Sequence, residues 1–252
     1  TTIYSKGIFI NTCFDELNIT HLDLIKEIHQ EYINAGADVI LTNTFGANSV
    51  KLKKYGLAEK CNEINSAGVK IAKSAVNNNK DIYIIGSIGS RLNMGSILTS
   101  ENISDIELSY NEQIACLKDN GVDGIIFETY FDIDELLLGA KIAKELKLPV
   151  IASLTLKKEM ETLTGLDIKT ALKKLDKSEY IDALGLNCTI GPHAMLSAVQ
   201  KVINFINKPL VVQPNASALK KVDGRTIYMN TPEYFTSYAK RYIELGVCGV
   251  GG

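Results

Sequence analysis

The sequence predicts an α/β fold of repeated strand–helix units, an eight-stranded (β/α) barrel, with a doubly wound open sheet as the alternative. Three observations carry this expectation. Short runs rich in β-branched residues recur along the whole chain. They are nearly continuous in apolar residues rather than alternating, as strands buried on both faces are. Amphipathic helical stretches lie between them.

The first clear helix is "DLIKEIHQEYINAG" (23–36), where Ile25, Ile28, Tyr32 and Ala35 form one stripe and Gly36 supplies the stop. The strand runs come next as "DVILTNT" (38–44), "IYIIGSI" (82–88), "GIIFET" (124–129), "PVIASLTL" (149–156), "DALGLNC" (182–188), "PLVVQPN" (209–215) and "VCGVGG" (247–252). Between the third and fourth runs, "DIDELLLGAKIAKEL" stripes through Leu136, Ala140 and Ala143. Before the last run, "TPEYFTSYAKRYIELG" opens on Thr231 as a cap with Pro232 in the first turn, and ends at Gly246. Helices and strands are seven each, starting with a helix and ending on a strand. A complete barrel would need one more strand, for which "GIFI" (7–10) is a candidate, and a helix after the last strand. No linker, low-complexity tract or charge block divides the chain, so residues 1–252 are expected to be a single domain.

Composition excludes several functions. The chain is 46% hydrophobic and 22% charged with a formal net charge of −2, which gives no basic field for nucleic acid. No apolar run has the length of a membrane span, and the N-terminus lacks the layout of a signal peptide. Five dispersed cysteines without a CxxC argue against a disulfide scaffold and for a reducing, cytoplasmic setting. Three histidines without HExxH or HxH make a histidine-based metal site hard to build. "GSIGSRLNMG" is no GxGxxG and "GANSVKL" holds no GK[ST], so neither nucleotide fingerprint is present.

In a barrel the active site lies where the strands end. Those ends carry Thr42, Asn43 and Thr44, Ser87, Glu128 and Thr129, Ser153 and Thr155, Asn187 and Cys188, and Gln213 and Asn215. Taken singly, each is as well explained as a polar cap on a strand. Glu128 stands out, because a buried strand delivers its carboxylate to the end of the run, where a charge requires a cation or hydrogen-bond donors. A substrate ammonium would serve, and so would a structural Lys or Arg. Cys188 stands at a strand end too. Cys61 and Cys116 fall within helices, Cys13 in the entry segment, and Cys248, between valine and glycine, is expected to be buried in its strand.

Several segments together resemble the homocysteine S-methyltransferase family. They are "IHQEYINAGADVILTNTFGAN", "GVDGIIFETYFDIDEL", "PVIASLTL", "GLNCTIGP", and "QPNAS" with "VDGRTIYMNTPEYFTSYAKRYIELGV" after it. The match keeps its order over nearly the whole chain. "CFDELNIT", "KYGLAEK" and "IYMNTPEYF" look most like bacterial proteins in which this barrel precedes a methylenetetrahydrofolate reductase domain.

The resemblance implies a (β/α)8 barrel that binds homocysteine, is part of a longer protein, and transfers a methyl group to the homocysteine sulfur to give methionine. It implies one Zn2+ held by three cysteines, of which Cys188 is one, with Asn215 near the metal. Zinc would hold the homocysteine sulfur as a thiolate, since a free thiol with a pKa of about 8.5 is mostly protonated at neutral pH. Glu128 would hold the substrate ammonium. Asn43, Thr44, Ser87 and Asn187 complete the expected substrate-binding set. The methyl donor would come from a folate- or cobalamin-linked domain. The sequence departs from the family in places. The family's paired cysteines come after a Gly-Gly that this chain reaches at its last residues, and Cys248 lies upstream of it. The family's first-strand Asp-Gly-Ala-Met-Gly-Thr is missing, so "GIFI" resembles the family's segment just after strand one. Helix eight is missing as well. Ser90 stands where the family has proline, and Ser217 where it has glycine. There are two rival readings. One is a lyase or aldolase using Glu128 as base, disfavoured by the lack of a strand-end lysine. The other is an inactive or incomplete barrel that binds an amino acid or a partner domain without turnover.

Overall fold

The structure, a computed structural model, describes residues 3, 6–8, 12–77, 79–216, 219–222, 225–228 and 230–252, with backbone only at 219–222 and 225–228. Its helices are α1 (Leu17–Thr20), α2 (Leu22–Asn34), α3 (Ser49–Leu52), α4 (Cys61–Val76), α5 (Ile103–Asp119), α6 (Ile133–Glu145), α7 (Ile168–Asp176), α8 (Pro192–Val202) and α9 (Pro232–Glu244). The strands are β1 (Val39–Leu41), β2 (Tyr83–Gly89), β3 (Gly124–Tyr130), β4 (Val150–Leu154), β5 (Ala183–Asn187), β6 (Leu210–Gln213), β7 (Leu219–Val222), β8 (Arg225–Tyr228) and β9 (Gly249–Val250).

Seven strands form one sheet in the order β1-β2-β3-β4-β5-β6-β9, and β7 and β8 pair separately as an antiparallel hairpin. The pairings of β1 with β2, β4 with β5, β5 with β6 and β6 with β9 are parallel. Strand order matches chain order with no reversal. This is the barrel's βα progression, and it excludes the doubly wound alternative, whose order reverses at a switch point. All seven apolar runs became strands of this sheet. Of the "GIFI" candidate, residues 9 and 10 lie outside the described residues. The β7–β8 hairpin, between β6 and α9, is marked by no apolar run in the sequence.

The chain divides into two compact units. One comprises Thr1–Arg91, Thr99–Ile126 and Lys141–Pro149; the other comprises Leu92–Leu98, Phe127–Ala140 and Val150–Gly252. In the first, α2, α4 and α5 pack around Ile25, Ile64, Val69, Ala72, Ile114 and Leu117. The buried face of α2 differs from the expected stripe. It carries Ile25 and His29, whereas Tyr32 is 48% exposed. The i to i+4 row through Ile25 and His29 meets α4, and the apolar spacing alone pointed one position away. Burial lowers the His29 pKa to about 4, so the ring is neutral, and its Nε2 is buried without a hydrogen-bond partner.

A polar network runs through the same core. Gln113 Nε2 donates to Thr44 O (2.8 Å) and Asn65 Oδ1 (3.1 Å), and Asn65 Nδ2 donates to Ala47 O and Cys61 O. Arg91 donates to Gln113 Oε1 (2.6 Å) and Gly89 O (2.8 Å), with its guanidinium 3.8 Å above the Tyr110 ring. These bonds satisfy loop carbonyls at the ends of β1 and β2 that would otherwise be buried without donors.

In the second unit, α6 starts where Asp132 Oδ1 accepts the Glu135 N–H, and its stripe Leu136, Ala140, Ala143 is fully buried as expected. Thr231 Oγ1 accepts the Tyr234 N–H and Pro232 stands at the first turn, so α9 begins as its sequence indicates. Tyr242 is fully buried and donates its hydroxyl to Pro192 O (2.7 Å), pinning α9 to the start of α8. One cysteine expectation is corrected. Cys248 is exposed and precedes β9, because side-chain alternation turns Val247 inward and Cys248 outward.

Candidate functional site

The second unit gathers the most distinctive sequence signals. Strands β4 and β5 approach closely because Gly185 has no side chain: a Cβ there would lie 2.6 Å from both Cβ and Oγ of Ser153. That approach lets Ser153 Oγ donate to Asn187 Oδ1 (2.9 Å) at the end of β5. The same oxygen accepts the Thr129 N–H (2.9 Å), and Asn187 Nδ2 donates to Thr129 Oγ1 (2.8 Å). Asn187 is 3% exposed. It therefore links β5, β4 and the end of β3, where Glu128 and Thr129 stand half-buried.

The backbone is left-handed at three non-glycine residues here, with φ of 63° at Thr129, 60° at Cys188 and 50° at Thr189. This region costs roughly 1–2 kcal/mol per L-residue, and β-branched threonine is among the least suited to it. Such conformations persist only where surrounding bonds over-determine them. Thr189 Oγ1 is bonded to Leu156 O and Thr155 Oγ1. The Cys188 N–H donates to Gln213 O (3.1 Å), and the Asn215 N–H to Ile190 O (3.0 Å). Beyond the turn, Gly191 and Pro192 open α8. Cys188 is thus a half-buried free thiol on a braced, strained turn, and Asn215 is exposed.

The first unit holds the other expected site residues. Thr44 Oγ1 donates to Ser87 O (2.8 Å) and lies 2.6 Å from Thr42 Oγ1, which accepts the Ser87 N–H (3.1 Å). Asn43 Nδ2 donates to Phe14 O (2.8 Å) and Asn18 Oδ1 (3.0 Å), and Asn18 Nδ2 returns a bond to Asn43 O (2.7 Å). The structure therefore brings Thr44 and Ser87 together and ties Asn43 to the segment before β1. Next to this lies Asp15, which sequence reasoning missed. It accepts the Gly46 N–H (2.9 Å), and a Cβ on Gly46 would meet Asp15 Oδ2 at 2.6 Å. Burial raises the Asp15 pKa from 3.8 to about 6, against the lowering effect of the Gly46 N–H. Nothing local to "CFDELN" marks this partnership, since its partner is 31 residues away.

A zinc site of three thiolates cannot be assembled from these residues alone. Among the described residues no group of three His, Cys, Asp or Glu side chains is placed to hold a metal. Cys188 is one donor where at least three protein ligands are needed. Cys61 is elsewhere, its pKa pushed up to about 12, mainly by burial.

Comparison with known proteins gives a consistent result. The family profile described as homocysteine S-methyltransferase matches residues 5–252. Methionine synthase of Mycobacterium tuberculosis (strain ATCC 25618 / H37Rv) is 29% identical over 251 residues, and that of Mycobacterium leprae (strain TN) is 28% identical over 251. Both alignments cover 95% of this chain, which spans only about a fifth (21%) of each relative. The homocysteine methyltransferase MmuM from Escherichia coli in its metallated form aligns with a TM-score of 0.80 at 21% identity, covering 100% of this chain and 87% of that one. Its oxidised form gives 0.82 at 20% identity, covering 99% and 87%. These solved structures share the fold. With a family match that spans all but the first few residues, the chain belongs to the homocysteine S-methyltransferase family.

Proposed function

We propose that this protein transfers a methyl group to the sulfur of homocysteine, giving methionine. The observation that carries the reading is the family match over residues 5–252, with Glu128, Asn187 and Cys188 at the ends of β3 and β5. On this reading Glu128 receives the substrate ammonium, an ion pair favoured in a half-buried setting, and Asn43, Thr44, Ser87 and Asn187 shape the substrate site. Residues 1–252 act as one homocysteine-binding domain of a longer protein, and a folate- or cobalamin-linked domain supplies the methyl group. That the chain spans about a fifth of its methionine synthase relatives supports the longer protein.

Zinc enters this proposal as a ligand assignment only. Cys188 would be one thiolate ligand with Asn215 close by, and the other thiolates would belong to sequence outside residues 1–252. A cytoplasmic location is also proposed, supported by five free cysteines. Among the described residues, no helix is long and apolar enough to cross a membrane.

The test is homocysteine binding by calorimetry on the full-length protein. Glu128→Gln should weaken binding about tenfold or more while zinc content stays unchanged, and unaltered affinity would remove Glu128 from the ammonium site. Cys188→Ala should lose the zinc and retain the fold. Retained zinc would remove Cys188 from the ligand set.

A further inference from the structure

We propose that Asn187 is a positioning residue: it holds Thr129 in its left-handed conformation, and so aims the carboxylate of Glu128 and sets it in register with Cys188. This rests on, and deepens, the reading in which Glu128 receives the ammonium of homocysteine.

Hydrogen-bonding capacity fixes the orientation of the Asn187 amide. A backbone N–H only donates, so the Asn187 atom facing the Thr129 N–H at 2.9 Å is the carbonyl oxygen. That oxygen also accepts from Ser153 Oγ, so both its lone pairs are occupied. One hydrogen of Nδ2 goes to Thr129 Oγ1. A carboxamide 3% exposed, with its acceptor saturated by protein, is built to hold protein rather than to receive a ligand.

What it holds is the strained residue. Thr129 has φ 63°, which a β-branched side chain resists. Asn187 grips it at both N and Oγ1, closing a two-point clasp. The peptide joining Glu128 to Thr129 is planar, so fixing the direction of the Thr129 N–H also fixes the plane from which Glu128 departs. The left-handed turn breaks the regular alternation of β3 immediately after Glu128. Released from the clasp, Thr129 would relax to extended backbone and rotate that plane. Cys188 is the residue directly after Asn187 and has its own N–H anchored on Gln213 O. One side chain therefore ties the carboxylate-bearing strand end to the thiol-bearing turn.

The experiment compares Asn187→Ala with Asn187→Ala/Thr129→Gly in the full-length protein. Two readouts are taken, the homocysteine dissociation constant and the exchange rate of the residue-129 amide. Asn187→Ala should weaken homocysteine binding at least tenfold and speed the amide exchange at least tenfold. Glycine adopts φ 63° without strain, so adding Thr129→Gly should recover a large part of the lost affinity. A loss that glycine does not relieve would mean Asn187 contacts the substrate itself, and would overturn the proposal. Unchanged amide exchange in Asn187→Ala would overturn it as well. Should Asn187→Ala fail to fold, Thr129→Val keeps the shape but removes Oγ1; it should weaken binding several-fold and speed exchange at residue 129, and no change in either would refute the clasp. If the unsubstituted protein binds no homocysteine, the functional reading fails, and the exchange rates alone still decide whether Asn187 holds Thr129.

Discussion

Asp15→Asn should make the protein more stable at neutral pH, and the gain should vanish in acid. The Asp15 carboxyl is half-buried with no cation described beside it, and burial raises its pKa from 3.8 to about 6. Linkage sets the sign. Between those values the folded state holds a proton that the unfolded chain has released. Stability from this group is therefore complete below pH 3.8 and lost as pH rises through 6. The gap between 3.8 and about 6 corresponds to roughly 3 kcal/mol at about 1.4 kcal/mol per pH unit. Water still reaches part of the group, so about half of that, ~1.5 kcal/mol, is the expected effect. Asparagine keeps an oxygen to accept the Gly46 N–H and carries no charge to desolvate. Urea midpoints for both proteins at pH 4, 5, 6 and 7 give the comparison. The variant's advantage should be near zero at pH 4 and reach ~1.5 kcal/mol at pH 7. An advantage of the same size at every pH, or none at pH 7, would refute the claim that desolvation of a charge is responsible.

Further outcomes are expected elsewhere. His29 titrates in the opposite sense: with its pKa lowered from 6.5 to about 4, its contribution is present above pH 6.5 and lost as pH falls through 4. His29→Leu should thus flatten acid destabilisation in urea titrations, and should stabilise by roughly 1–2 kcal/mol at pH 7 by removing an unpartnered buried nitrogen. Gly185→Ala should destabilise by roughly 2–3 kcal/mol in urea unfolding, since its Cβ would overlap Ser153. A thiol reagent on the native protein should label exposed Cys248 quickly and half-buried Cys188 more slowly. It should spare Cys13 and Cys61, whose thiols are buried and raised in pKa; peptide mapping by mass spectrometry reads the order.

Much of the fold was legible because burial on both faces writes itself into composition. The runs at 124–129, 149–156 and 182–188 became β3, β4 and β5, whose residues are nearly all buried. Legibility failed where facing partners decide. The α2 face turned on His29, a residue that no apolar count selects, and Cys248 turned outward although its neighbours are apolar. The hairpin Leu219–Val222 with Arg225–Tyr228 is polar and short, so it lacked the signal that marked the sheet.

The candidate site divides in the same way. The sequence alone determined that Glu128, Asn187 and Cys188 close buried strand runs, because apolar runs deliver whatever residue ends them to the strand terminus. Only the tertiary structure decided what those residues do to one another. Asn187 and Thr129 are 58 positions apart, and a threonine's own preferences oppose the φ of 63° it adopts. Local sequence cannot announce a conformation that local energetics disfavour. It exists because β3, β4 and β5 lie side by side and a saturated carboxamide reaches across them.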